Sequence, residues 1–255
     1  MAISAAGEAD RFQTIVDRME RYLARYEAAR DRRAVFTYGY LQFTRALWEG
    51  IDLAPFADRA WVALIAERFA ERYFEALDTL DQGGTPVTPW REVFDAIRLQ
   101  RSSVLEDLVF GITAHIVHDL PQTLVEVGMV DANGASRVAD HHLINEVLKA
   151  SIDGMQDAVA RRYEPLVWWL DHLGADLDEI ATDYGLRVSR GLAWYNAIRL
   201  LDERSREDAL AAIKRGPLVL IEEVRRPPVW SLRFVLRWMR WVSSFFRRWP
   251  RPTDG

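Results

Sequence analysis

The stretch from Ser102 to Pro121, SSVLEDLVFGITAHIVHDLP, decides the fold. Val104, Leu105, Leu108, Val109, Phe110, Ile112, Ile116 and Val117 fall on every side of a helical wheel, so a helix here has no water-facing stripe and belongs in the middle of a protein. Such a helix needs partners all round. The flanking sequence supplies further helices, because apolar residues recur at helical spacing nearly everywhere and no stretch alternates with period two for long enough to make a strand. The expected class is all-α: a single multi-helix bundle over residues 1–226, then a basic amphipathic helix in an Arg/Trp-rich tail, residues 227–255.

Helices are expected over roughly Ala9 to Arg32, Val35 to Glu49, Ala57 to Asp81, Trp90 to Leu99, Ser102 to Leu120 with an extension past Pro121, Ala135 to His172, and Leu177 to Arg225. The breaks fall at Gly50, at the Gln82 to Pro89 run, at the Asp131 to Gly134 turn and at Gly174. Pro165 and Pro217 are expected to kink or split their helices. Short connections imply antiparallel neighbours.

Composition narrows the function classes. With 49% hydrophobic and 28% charged residues the chain has the makeup of a globular protein rather than a disordered one. It has no Cys, so disulfides, thiolate nucleophiles and Cys-ligated zinc are excluded, and any metal must be held by His and carboxylates. Ser103, Ser151 and Ser189 lack a nucleophile-elbow context, and neither a phosphate-binding Gly loop nor a dinucleotide fingerprint is present. Met1 to Asp10 does not read as a secretory signal, and no continuous transmembrane span is found, so the expected location is cytoplasmic.

Charge is unevenly spread. From Arg225 onward there are eight Arg and one acid, a net +7, which leaves −12 on residues 1–224. Arg233, Arg237, Arg240 and Arg247 line one face of a tail helix, and Phe234, Trp238, Trp241, Phe245 and Trp249 lie opposite. Rings on one side and guanidinium groups on the other suit the headgroup plane of an anionic membrane, which is the partner expected for this segment. The alternative is docking on the acidic body or a protein partner, with Arg paired to carboxylates. Nucleic acid is not expected, because the body repels phosphate.

Four of the five His cluster in two short stretches, around His115 and His118 and at His141 and His142. His115 and Asp119 share a face with Val104, Leu108 and Ile112, which puts an ionisable pair in the core. By the same rotation His141 and Asn145 lie on the apolar side of the following helix, with His142 and Glu146 toward its edge. A turn at Asp131 to Gly134 is expected to let the two pairs face each other. Helical i, i+4 spacing aims two donors at one point, so His115, Asp119, His141 and His142 are candidate ligands for Zn, Mn or Fe. His118 and Glu146 are candidate bases and Asn145 an orienting group. The other reading is a buried hydrogen-bonded network that fixes helix register. Trp168, Trp169 and Trp194 to Asn196, beside Arg187, Arg190 and Arg199, are expected to be core packing with snorkelling Arg, the alternative being the lining of a pocket for an acyl chain or anionic headgroup.

Two resemblances arise at these residues. Gly111 to Pro121, with Ala34 to Thr44 upstream and Asp140 to Leu148 downstream, resembles a bacterial family of uncharacterised helical proteins over most of Arg33 to Leu201. More distantly, His115-x-x-x-Asp119 and His142-x-x-x-Glu146 are similar to the paired motifs of zinc-dependent phospholipase C and the zinc-dependent single-strand nucleases. That resemblance implies phosphodiester cleavage, although the further His and Asp ligands and the N-terminal Trp of that group are missing here. The expectation is a peripheral membrane protein, a metal-dependent hydrolase of a lipid or other phosphoester. The alternative is a non-catalytic helical binding or scaffold module.

Overall fold

The computed structural model describes residues 5–100, 102–164, 183–226, 237, 240 and 241. Among these residues nine α-helices and one π-turn are present, with a single isolated bridge between Val130 and Ser136 and no strand. The all-α class is as expected.

The helix signals are local and specific. In α1 (Ala5–Ala28), Phe12, Ile15, Met19, Leu23 and Tyr26 repeat every three or four residues and are all buried, which fixes one face inward. After α2 (Arg33–Ile51), α3 (Arg59–Asp81) begins at Asp58, whose side chain accepts from Trp61 N at 3.0 Å. Pro89 starts α4 (Thr88–Arg98), where a missing N–H costs nothing. A reciprocal capping box, Ser103 with Glu106, opens α5 (Val104–Ala114).

The chain then passes through the π-turn His115–Asp119 into α6 (Leu120–Val127), which stops at Gly128 with φ of 83°. α7 (Val138–Tyr163), α8 (Asp183–Leu201) and α9 (Arg206–Arg225) complete the order. The rod made by α5, the π-turn and α6 packs against α2, α3, α4, α7, α8 and α9, as its all-round apolar sequence requires. Gly111 lets α2 come close, because a Cβ there would stand 2.4 Å from Phe36 Cδ2.

One expected boundary is corrected. Of the helix foreseen from Leu177 to Arg225, residues 177–182 lie outside the described residues and the rest is two helices, with the break at Asp202 to Ser205 rather than at Pro217. Ser205 Oγ donates to Arg199 O at 3.0 Å and Arg206 Nε to Leu200 O at 2.9 Å, so side chains satisfy the last carbonyls of α8 and stop it there. Pro217 stays buried inside α9. The helix foreseen from Ala135 runs from Val138 and ends at Tyr163, two residues before Pro165, where a break is expected from the bias that proline imposes on its predecessor. Its expected continuation to His172 lies outside the described residues.

Two polar clasps sequence inspection did not anticipate hold the bundle in register. The Arg32 guanidinium, buried at the start of α2, pairs with the buried Asp107 carboxylate and donates to Ser102 O at 2.7 Å and Ser103 O at 2.9 Å. Asp140 of α7 accepts from the backbone N–H groups of Ala57 and Asp58 at 2.9 and 2.8 Å, which ties the loop before α3 to α7.

Candidate functional site

The π-turn exists because of Pro121. Pro121 has no N–H to give the Val117 carbonyl and its ring crowds that carbonyl, so an α-helical register fails one turn upstream. The backbone widens instead, and Leu120 N–H reaches His115 O, five residues back. Thr123 Oγ1 takes the Asp119 carbonyl at 3.0 Å. Such one-turn widenings occur mostly inside α-helices and often at functional sites.

This turn gathers three ionisable side chains in the core. Asp119 Oδ2 lies 2.8 Å from His115 Nδ1 and accepts from Trp90 Nε1 at 2.9 Å, while Oδ1 lies 2.7 Å from His118 Nδ1. His115 and Asp119 are each 2% exposed and His118 7%. Burial pushes the Asp119 carboxyl up, but the hydrogen bonds from His115 and His118 outweigh it and hold the group below its ordinary value. An ionised Asp119 is an acceptor only, so both Nδ1 atoms carry the hydrogen, and each imidazole, when neutral, keeps its lone pair on Nε2. Burial also pulls His115 below its usual value, more strongly than Asp119 raises it, so its neutral form is favoured.

An aromatic box surrounds His115. Phe69 stacks on its ring with centroids 3.5 Å apart, Tyr40 meets it edge-on at 4.7 Å, and Phe36, Tyr73 and Trp90 close the remaining sides. Its Nε2 is buried and has no hydrogen-bond partner. His118 lies at the edge of the cluster with the Gln122 amide 3.4 Å from its Nε2, and Gln122 donates to His118 O at 2.9 Å.

The second expected pair is elsewhere. His141 and Asn145 make their side-chain bonds to Arg190 of α8: Arg190 Nε donates to Asn145 Oδ1 at 2.5 Å, His141 Nε2 lies 3.1 Å from Arg190 O, and Arg190 Nη2 lies 3.4 Å from His141 Nδ1. Trp194 lies against His141. Burial, then the Arg190 charge, pull His141 well below its usual value. Arg190 does not snorkel; it is buried, and burial lowers it to about 10. His142 is exposed, and Glu146 is exposed and paired to Arg187 at 2.6 Å.

The expected facing of His115 and Asp119 with His141 and Asn145 is therefore corrected. α7 lies chiefly along α2, and its His141 turns to α8. Among the described residues no three His, Asp or Glu form a group that could hold a metal ion. Both Asp119 oxygens are already engaged by N–H groups, so within this cluster the carboxylate stands behind the imidazoles rather than beside them as a ligand.

In the tail, Arg240 donates to Glu106 Oε2 at 2.9 Å and to Oε1 at 2.5 Å, and to Arg225 O at 3.0 Å. Arg237 is exposed and Trp241 is 57% exposed. Arg233, Trp238 and Arg247 lie outside the described residues. No helix among the described residues is long and apolar enough to cross a membrane.

Fold and site together define the class: an all-α protein whose central helix carries a His–Asp–His cluster on a π-turn. A model for a family of unknown function, DUF5995, matches residues 12–226, and the chain belongs to that family. The match extends the expected family likeness beyond Arg33 to Leu201 at both ends. No curated protein and no solved structure matches the chain.

Proposed function

We propose that the His115, Asp119, His118 cluster is an acid/base centre and that the protein is a hydrolase of an ester or phosphoester, working at an anionic membrane surface to which its Arg/Trp-rich tail binds. The observation that carries this reading is the position of Asp119. One ionised carboxylate fixes two imidazoles in the tautomer whose Nε2 is a base. In that arrangement the more exposed His118 takes a proton from an attacking water and returns it to the leaving group, and Asp119 stabilises the imidazolium in between. The His115 hydrogen bond favours ionised Asp119, and Trp90 donates to the same oxygen and holds it in place. The unpartnered Nε2 of His115 supports the same reading, because an unbonded buried nitrogen costs about 1–3 kcal/mol and is uncommon without a use.

The second reading, a structural network, is favoured by the 2% exposure of His115 and Asp119. The two separate on His118→Ala. Purified wild type and variant are compared on chromogenic carboxylate esters, phosphate monoesters and phosphodiesters, with and without Zn, Mn or Fe, alongside elemental analysis and thermal unfolding. Hydrolysis by wild type that a still-folded variant lacks supports the acid/base centre. A wild type inert on the whole panel, with a variant that loses stability, sinks it in favour of the network.

A further inference from the structure

The end of α9 and the tail together border an open cleft of about 260 Å³ lined by four arginines, Arg225, Arg226, Arg237 and Arg240. We infer that this cleft is a binding site for a phosphate group, separate from the imidazole cluster and independent of its chemistry. The argument rests on which donors are already engaged.

Arg240 is engaged with the buried Glu106, and Arg226 pairs with Glu222 at 3.1 Å. The other two guanidinium groups have no ion pair among the described residues. Arg225 lies over the face of Phe110, its carbon 5.3 Å from the ring centroid, and its Nε is buried with no hydrogen-bond partner. Arg237, which also lines the cleft, is exposed. Four positive charges thus converge against two carboxylates, in a chain whose residues 1–224 carry −12. Like charges brought together repel unless an anion lies between them.

The chemistry of the walls selects the anion. Guanidinium groups present paired N–H donors in a fixed fork that matches two oxygens of a phosphate, and they do so better than ammonium groups. The Phe110 ring and the Glu106 bridge hold Arg225 and Arg240 in place before the anion arrives, so little side-chain freedom remains to be lost. A phosphate could come from a lipid headgroup or from a soluble phosphate; the oxygens presented to the cleft are the same.

The test uses the full chain with two probes: inorganic phosphate by titration calorimetry, and phosphatidylcholine vesicles with or without phosphatidic acid by co-sedimentation. The variants are Arg237→Gln, on an exposed side chain whose loss leaves the fold intact, and Arg225→Lys, which keeps the charge and removes the fork. Binding of inorganic phosphate that weakens about tenfold in either variant supports a site for soluble phosphate. Binding of the phosphatidic acid vesicles alone, weakened in the same variants, supports a headgroup site. No binding of either probe, or binding that both variants retain in full, overturns the proposal.

Discussion

The imidazole of His115 lies flat on the ring of Phe69, 3.5 Å between centroids and 5° from coplanar. A charged imidazolium in that position would give up its water, and the Phe69 ring is one of the walls whose burial of His115 lowers its affinity for a proton.

Phe69→Ala opens one face of the box. The His115 pKa is expected to rise toward the ordinary imidazole value, read by NMR titration of its ring protons, with a stability loss of about 3 kcal/mol for the deleted ring. An unchanged titration would show that Phe69 does not set the environment of His115.

Acid should destabilise the protein early. His115 and His141 both hold protons less tightly folded than unfolded, so below about pH 6.5 the unfolded chain binds more protons and the equilibrium moves toward it. The stability these groups contribute is present above that pH and is lost as pH falls toward their folded values. Asp119, also lowered, adds a further loss at more acid pH, below the ordinary carboxylate range. Urea unfolding at a series of pH values checks this, and the slope below about pH 6.5 should shrink in His115→Gln.

Gly111→Ala should be costly for one methyl group. The new Cβ meets Phe36 at 2.4 Å, so α2 and α5 must move apart, at about 1–3 kcal/mol. Phe36→Leu in the same chain should recover part of that loss, and a double-mutant cycle by urea unfolding measures the recovery.

Asp107→Asn leaves the Arg32 guanidinium buried without its counter-charge. A loss of about 3–5 kcal/mol is expected. The double variant Arg32→Met, Asp107→Leu should lose clearly less than Asp107→Asn in the same unfolding assay, because it leaves neither charge behind.

The buried centre of the fold was legible in the sequence because Val104 to Val117 is apolar on every side, a pattern that admits one environment. The pair His115 and Asp119 was legible for the same reason. Trp90 and Phe69 as their neighbours were not, since they come from α4 and α3 and no local spacing reports which helices meet. The pairing of His141 with Arg190 was missed because a turn at Asp131 to Gly134 fixes that two helices follow one another, not the angle at which the second leaves. Pro121 was a usable signal for the widened turn. Helical periodicity alone carries the helix past Pro121, whereas the missing N–H dictates a defect one turn upstream.

The bond between Arg240 and Glu106 links regions 134 residues apart in the chain. Glu106 is also the reciprocal half of the cap on α5, nine residues before His115, so the tail helps to hold the N-terminal end of the helix that carries the π-turn. Any ligand that draws Arg240 away leaves a buried carboxylate uncompensated and loosens that end. By thermodynamic reciprocity, whatever tightens the π-turn helix strengthens the hold on the tail. Occupancy beside Arg240 and rigidity of the helix that carries the π-turn are therefore coupled quantities, transmitted through the Arg240 guanidinium.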